Sequence, residues 1–165
     1  MQFIPSLCKN PDYEDYQDED LIQLKEDVAA LGNIYQFTDD HYFYDASRCS
    51  STIDYLINEH ARAAALSIQP SFLWKGGNEF PNATSTQGMS IRLYDKKHIE
   101  NISLLLISLE FNDLLVYYNY EKMQDAGVYK LTHPKKLEVL ELAFYEIQDI
   151  FLLALAEDLL LMLRG

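Results

Sequence analysis

An apolar stripe within Leu137–Phe151 constrains the fold of this chain more than any other feature. Five large apolar residues follow one another there at intervals of three or four positions: Leu137, Leu140, Phe144, Ile147 and Phe151. This spacing is typical of one face of an α-helix. Four more apolar residues widen the stripe to over half of the helix surface: Val139, Ala143, Ile150 and Leu153. The pattern therefore predicts a buried spine helix, with Pro134 in its first turn and Thr132 or His133 as its cap.

The length and composition of the chain indicate a single domain covering residues 1–165. A chain of 165 residues, 48% of them hydrophobic, can bury a sizeable core. We expect an α+β fold in which several helices pack around the spine helix beside a small sheet. The sheet is predicted to recruit Met1–Ile4, one piece of Asn33–Tyr44 and the tail Leu159–Leu163.

Three further helices are predicted from apolar periodicity and capping residues. They cover Glu19–Leu31, Asp45–Leu66 and a segment that Asp95 caps. The buried face of the third helix is predicted to hold five residues: Ile99, Ile102, Leu105, Leu106 and Leu109. Phe111–Asp113 is expected to break that helix, and the glycine-containing stretch Phe72–Gln87 is expected to form a long loop.

Acidic residues outnumber basic ones by 26 to 13, which gives a net charge of −13. The excess is concentrated at the start of the chain, because residues 1–59 hold 13 acidic side chains against Lys9, Lys25 and Arg48. Residues 1–59 therefore carry a net charge of −10, whereas residues 60–165, with 13 acidic and 10 basic side chains, carry −3. Such a field repels nucleic acid and anionic membranes and attracts a basic protein partner. The alternative is that the charge serves solubility alone.

Cysteine usage and hydropathy favour a cytoplasmic protein. Cys8 and Cys49 form no disulfide framework and have no metal-ligand spacing, so reduced thiols are expected. No apolar run approaches the roughly 20 residues of a membrane span. The N-terminal residues lack the pattern of a signal peptide.

Three segments resemble the YfbM-like family of bacterial proteins. They are Asp45–Arg48 leading into Ile53–Ile57, Ile91–Asp95 with the helix after it, and Tyr118–Met123 followed by Gly127–Tyr129. The resemblance covers roughly residues 40–165. The chain departs from the family pattern at Ser47–Cys49, at Asn119-Tyr120 and at Lys130. The resemblance implies a mixed α/β single domain, and it implies no chemistry because the family has no assigned biochemical role.

No motif for catalysis, metal binding or cofactor binding stands out. The four histidines lack the spacing of metal ligands: His41, His60, His98 and His133. Gly76-Gly77 is not followed by the residues of a phosphate-binding loop. No cofactor and no metal site are therefore expected.

The sequence leaves two functional interpretations open, together with the oligomeric state. The first is a non-catalytic protein-binding module that docks a basic partner through the acidic loop 10–20, such as an immunity-type inhibitor of a basic toxin. Its binding residues are predicted to be Asp12, Tyr13, Glu14, Asp15, Tyr16 and Trp74. The alternative is a small enzyme whose site is assembled from Asp45, Tyr94, His98 and Trp74.

Overall fold

A computed structural model of the protein describes residues 2–9, 44–45, 49–66, 76–84, 90–128 and 131–164. Side-chain environments are described for residues 49–66, 76–77, 92, 94–128, 131–158 and 161. The predicted helix Glu19–Leu31 and the acidic loop 10–20 lie outside the described residues.

The described part of the chain contains five helices. They are α1 (Ser50–Ala63), α2 (Lys96–Ile107), α3 (Phe111–Leu115), α4 (Tyr120–Asp125) and α5 (Leu137–Ala156). The predicted cap of α2 is confirmed, because Oδ1 of Asp95 accepts a hydrogen bond from the backbone N–H of His98 at 2.9 Å. Phe111 begins a helix where a break was predicted, since its ring is buried in the core.

Helix α5 is the predicted spine, and four of the five residues of the buried stripe are confirmed: Leu140, Phe144, Ile147 and Phe151. Its buried residues are Leu140, Ala143, Phe144, Ile147, Ile150, Phe151 and Ala154. The predicted start at Pro134 is wrong, because α5 begins at Leu137 with Lys136 as its N-cap. The Tyr118 hydroxyl accepts from the Lys135 N–H at 2.8 Å and donates to the Lys135 carbonyl at 2.9 Å. The backbone N–H and carbonyl of Lys135 are therefore both bonded to a side chain outside α5.

Three residues of the widened apolar stripe of α5 are not buried as predicted. Leu137 and Val139, which were assigned to the buried stripe, are 43% and 49% exposed, and Leu153 is half-buried. The helix therefore has one buried side and one side that meets solvent.

Helices α2 and α5 pack side by side in opposite directions. The Ser103 hydroxyl donates to the carbonyl of Phe151 at 3.2 Å, and the Gln148 side-chain amide donates to the carbonyl of Leu106 at 2.7 Å. Later residues of α2 thus meet earlier residues of α5, as an antiparallel pair requires. The ring of Tyr94, just before α2, meets the ring of Phe151 edge-on at a centroid distance of 5.6 Å.

Helix α1 completes the described core from another side of α5. Ile53, Leu56 and Ile57 have no exposed surface, which confirms the predicted apolar face. The helix starts at Ser50 and not near Asp45, because Tyr44–Asp45 is extended and pairs with the start of the chain.

Five extended backbone segments accompany the helices: β1 (Gln2–Lys9), β2 (Tyr44–Asp45), β3 (Asn78–Thr84), β4 (Ser90–Tyr94) and β5 (Leu159–Arg164). They pair antiparallel in the order β2-β1-β5-β4-β3. Gln2 lies opposite both Asp45 and Arg164, whereas Tyr94 lies opposite Leu161. The chain enters β5 from α5 through Asp158, whose φ of +52° reverses its direction.

The prediction of an α+β fold is wrong for the part of the chain whose packing is described. Helices account for 67% of the residues there. Among the described core residues, Tyr94 and Leu161 alone come from extended segments, and the rest lie in helices or in the turns beside them. The interior is assembled by α5 against α1, α2 and α3, so the described body of the protein is a helical fold.

Candidate functional site

The residues predicted to bind a partner lie outside the described residues. They are Asp12, Tyr13, Glu14, Asp15, Tyr16 and Trp74. Their assignment to a binding surface therefore stays a prediction.

The backbone register separates two members of the alternative enzyme site. Asp45 is level with Arg164 of β5, and Tyr94 is level with Leu161, three residues along the same strand. Two strands, β1 and β5, also lie between β2 and β4. With ordinary strand spacing and rise, the backbones of Asp45 and Tyr94 are about 17 Å apart. The structure does not bring these two residues into one site.

Tyr94 itself is placed for packing and not for contact with a substrate. It has no exposed surface. Burial raises the pKa of its hydroxyl far above the ordinary value, Arg92 lowers that pKa and the buried Asp54 raises it further. At neutral pH the phenol is therefore protonated and shielded from solvent.

His98 of the alternative site lies beside Asp95, which was predicted only as the cap of α2 and was not a member of that site. Oδ1 of Asp95 lies 2.7 Å from Nδ1 of His98 and also accepts from the His98 backbone N–H. The carboxylate thus orients the imidazole while it caps α2. Capping accounts for this geometry without any catalytic role, because an N-cap side chain normally accepts a bond from a backbone N–H of the first turn.

The described residues show neither a metal-binding cluster nor a membrane-spanning helix. No three of their His, Cys, Asp or Glu side chains are grouped so that they could hold a metal ion. None of the helices in the described ranges is both long enough and apolar enough to cross a membrane.

The most unusual exposed residues lie on the solvent sides of α2 and α5. Leu104 and Ile107 of α2 are 67% and 55% exposed, and Leu142 of α5 is 60% exposed. The Tyr145 hydroxyl of α5 donates to Oε2 of Glu110, the N-cap of α3, at 3.1 Å. Leu142 precedes Tyr145 by three residues on α5, so these two side chains are neighbours on the helix surface.

Acidic residues are frequent at the exposed positions of the same helices. Six acidic side chains occupy exposed or half-buried positions on and between the two helices: Glu100, Glu110, Glu138, Glu141, Glu146 and Asp149. Lys96 and Lys97 are the basic residues at exposed positions of α2, and Lys96 pairs with Asp158 at 3.1 Å.

Nearby carboxylates affect the Tyr145 phenol. The hydrogen bond to Glu110 raises the pKa of the Tyr145 phenol, and the negative charges of Glu110 and Glu141 act in the same direction. The nearby carboxylates therefore favour the protonated form of the Tyr145 phenol.

Sequence reasoning missed these exposed residues, although a signal for them was present. Each residue of an α-helix turns by about 100°, which places Leu104 away from Ile102 and Leu106, and Leu142 away from Ile147. The helical rotation separates them.

Comparisons with known proteins add no relative. A scan against protein-family models, a search of curated proteins and a search of solved structures each found no match. The resemblance to the YfbM-like family therefore stays a prediction.

Proposed function

We propose that this protein is a non-catalytic binding module that captures a basic protein. The observation that carries the proposal is the uneven charge, since residues 1–59 hold a net charge of −10 out of −13 for the whole chain. Charge of one sign concentrated in one region steers an oppositely charged partner toward it and speeds association. An immunity-type inhibitor of a basic toxin is the sharpest form of this proposal.

Aromatic residues support a binding role for the acidic region. Tyr13 and Tyr16 alternate with acidic residues in the loop 10–20, and Trp74 is the single tryptophan of the chain. Tyrosine and tryptophan are the residues that most often act as anchors at protein interfaces. In this proposal the carboxylates provide the attraction and the rings provide the contact.

The test uses the whole protein as bait for extracts of its native host, over a series of salt concentrations. We expect capture of a basic protein whose binding weakens as salt rises, because exposed charges are screened. The purified partner is then mixed rapidly with bait while the emission of Trp74 is recorded. Failure to capture any basic protein at low salt would refute the proposal.

A matched pair of variants separates a local site from the overall charge. The triple variant Asp12→Asn, Glu14→Gln, Asp15→Asn removes three charges from the predicted site. The control variant Glu121→Gln, Asp125→Asn, Glu157→Gln removes three charges from exposed positions elsewhere. Association with the captured partner should slow more in the first variant. Equal slowing in both would show that only the net charge matters and that the predicted loop is not the site.

A further inference from the structure

We infer that a basic helix of the partner lies along the solvent side of α5, with an apolar residue on Leu142 and basic residues on the carboxylates before and after it. This inference rests on the proposed function and adds the location of a contact and the kind of segment that makes it. The residues that build this surface all belong to one helix, so their spacing follows from helical geometry.

Six residues form a ridge along the solvent side of α5, which we call the α5 ridge: Glu138, Val139, Leu142, Tyr145, Glu146 and Asp149. At about 100° of rotation per residue, the other five lie within about 60° of Leu142 around the helix axis. The rise of about 1.5 Å per residue places Glu138 about 6 Å before Leu142 and Glu146 about 6 Å after it. The ridge therefore has an apolar centre with a carboxylate on each side along the helix.

The apolar centre of the α5 ridge is open to solvent. Leu142 is 60% exposed and Val139 is 49% exposed. Phe144, Ile147 and Phe151, which have no exposed surface, lie about 140–200° around the helix from Leu142. The described core therefore packs on the far side of α5 and leaves the α5 ridge uncovered.

The charge of α5 has one sign. No basic residue occurs within Leu137–Ala156, and four acidic residues do: Glu138, Glu141, Glu146 and Asp149. Among the described residues none of these four carboxylates forms an ion pair. The hydrogen bond to Glu110 and the charges of Glu110 and Glu141 raise the pKa of the Tyr145 phenol, as expected where the local potential is negative. A positively charged partner would therefore find carboxylates that are not already neutralised.

A basic helix can match both the spacing and the charge of the α5 ridge. Residues four before and four after a central leucine project from the same side of such a helix. With lysine or arginine at those two positions, the charged groups can meet Glu138 and Glu146 while the leucine meets Leu142. The apolar stems of the basic side chains add contact with the exposed surface of Val139.

The same charge argues against other occupants. In a two-fold dimer the same surface meets itself, so the carboxylates of one copy would oppose those of the other. The segment 10–43 of this chain holds ten acidic residues against Lys25, so the α5 ridge repels it as well. Nucleic acid and an anionic membrane surface are disfavoured for the same reason.

The experiment titrates a synthetic helical peptide into the whole ¹⁵N-labelled protein at physiological ionic strength and follows the backbone amide signals by NMR. The probe peptide carries a central leucine with lysines four positions before and four after it. The control peptide has the same composition, with the lysines two positions before and after the leucine, which places them on the opposite side of the helix. We expect the probe to shift the signals of α5 and to bind about fivefold more tightly than the control, as two exposed ion pairs allow.

Variants of the protein locate the contact. The double variant Glu138→Gln, Glu146→Gln removes two charges from the α5 ridge and should weaken probe binding by about fivefold. The control variant Glu121→Gln, Asp125→Asn removes two exposed charges from α4 and should weaken it by less than about twofold. Leu142→Ser should also weaken binding by about fivefold, because it removes the apolar centre. Circular dichroism and thermal melting check that all three variants fold like the parent protein.

Three outcomes overturn the inference. They are no binding of the probe, equal binding of the probe and control peptides, and equal weakening by the α5 and α4 charge variants. The last two would show that only net charge matters.

The captured partner separates this inference from the proposed function. If Glu138→Gln, Glu146→Gln leaves capture unchanged while neutralising Asp12, Glu14 and Asp15 weakens it, the location on α5 is refuted and the proposed function stands. If no basic protein is captured at low salt, the proposed function is refuted whatever the peptide does.

Discussion

Replacing Phe151 with alanine tests the packing of the helical core directly. Phe151 lies on α5, has no exposed surface and meets the ring of Tyr94 edge-on at 5.6 Å. The substitution removes a buried aromatic ring and leaves a cavity between α5 and the chain entering α2. Together the lost transfer free energy and the cavity cost about 3–5 kcal/mol.

That cost is a large part of the stability of the domain. Domains of this kind are stable by only about 5–15 kcal/mol. For a chain of this size, 1 kcal/mol corresponds to about 2–4 °C in melting temperature, so Phe151→Ala should melt about 6–20 °C lower. If the parent protein lies at the low end of the stability range, the variant will be largely unfolded at 37 °C.

The assay is thermal and urea unfolding followed by circular dichroism, with Leu142→Ala as the control. Leu142 lies on the same helix but is 60% exposed, so its truncation should change the free energy of unfolding by less than about 0.5 kcal/mol. Phe151→Leu keeps most of the buried volume and should recover more than half of the loss. Equal stability of Phe151→Ala and Leu142→Ala would show that α5 does not bury the stripe assigned to it.

Three further changes test individual interactions. Burial raises the pKa of Tyr94, so above about pH 10 the folded state keeps a proton that the unfolded chain loses. The free energy of unfolding should therefore fall as pH rises above about 10, by at most about 1.4 kcal/mol per pH unit. Tyr94→Phe should therefore flatten the dependence of urea unfolding on pH in this range, and an unchanged slope would contradict the burial of the phenol. Asp95→Ala should cost about 0.5–2 kcal/mol because it removes the cap of α2, whereas Asp95→Asn, which can still cap, should cost clearly less in the same assay. Ser103→Ala removes a hydrogen bond from a buried hydroxyl to the Phe151 carbonyl and should cost about 0.5–1.5 kcal/mol, and a loss several times larger would point to a wider network around Ser103.

The sequence predicts the charge of a candidate binding region but not which side chains come together in it. The acidic bias of residues 1–59 was read from composition, which does not depend on folding. Leu104 of α2 and Leu142 of α5 are 38 residues apart in the chain, so local patterns could not predict that their helices pack side by side. Likewise, the distance between Asp45 and Tyr94 follows from strand order, which local patterns do not encode.

The sequence by itself determined the local features of this protein. The three-and-four spacing on α5 identified Leu140, Phe144 and Ile147 as core residues, because helical periodicity depends only on neighbours within a few turns. The cap at Asp95 could also be predicted from the sequence, because an N-cap side chain bonds to a backbone N–H only three residues away. The concentration of negative charge in residues 1–59 is a property of composition alone.

Tertiary structure decided where these local features end and which sides of them meet solvent. Helix α5 starts at Leu137 because the hydroxyl of Tyr118 binds the backbone of Lys135, a contact between residues 17 positions apart. Val139 and Leu142 are exposed because the described core lies on the opposite side of α5. Apolar character makes burial favourable, but only the arrangement of neighbouring helices determines which apolar residues are covered.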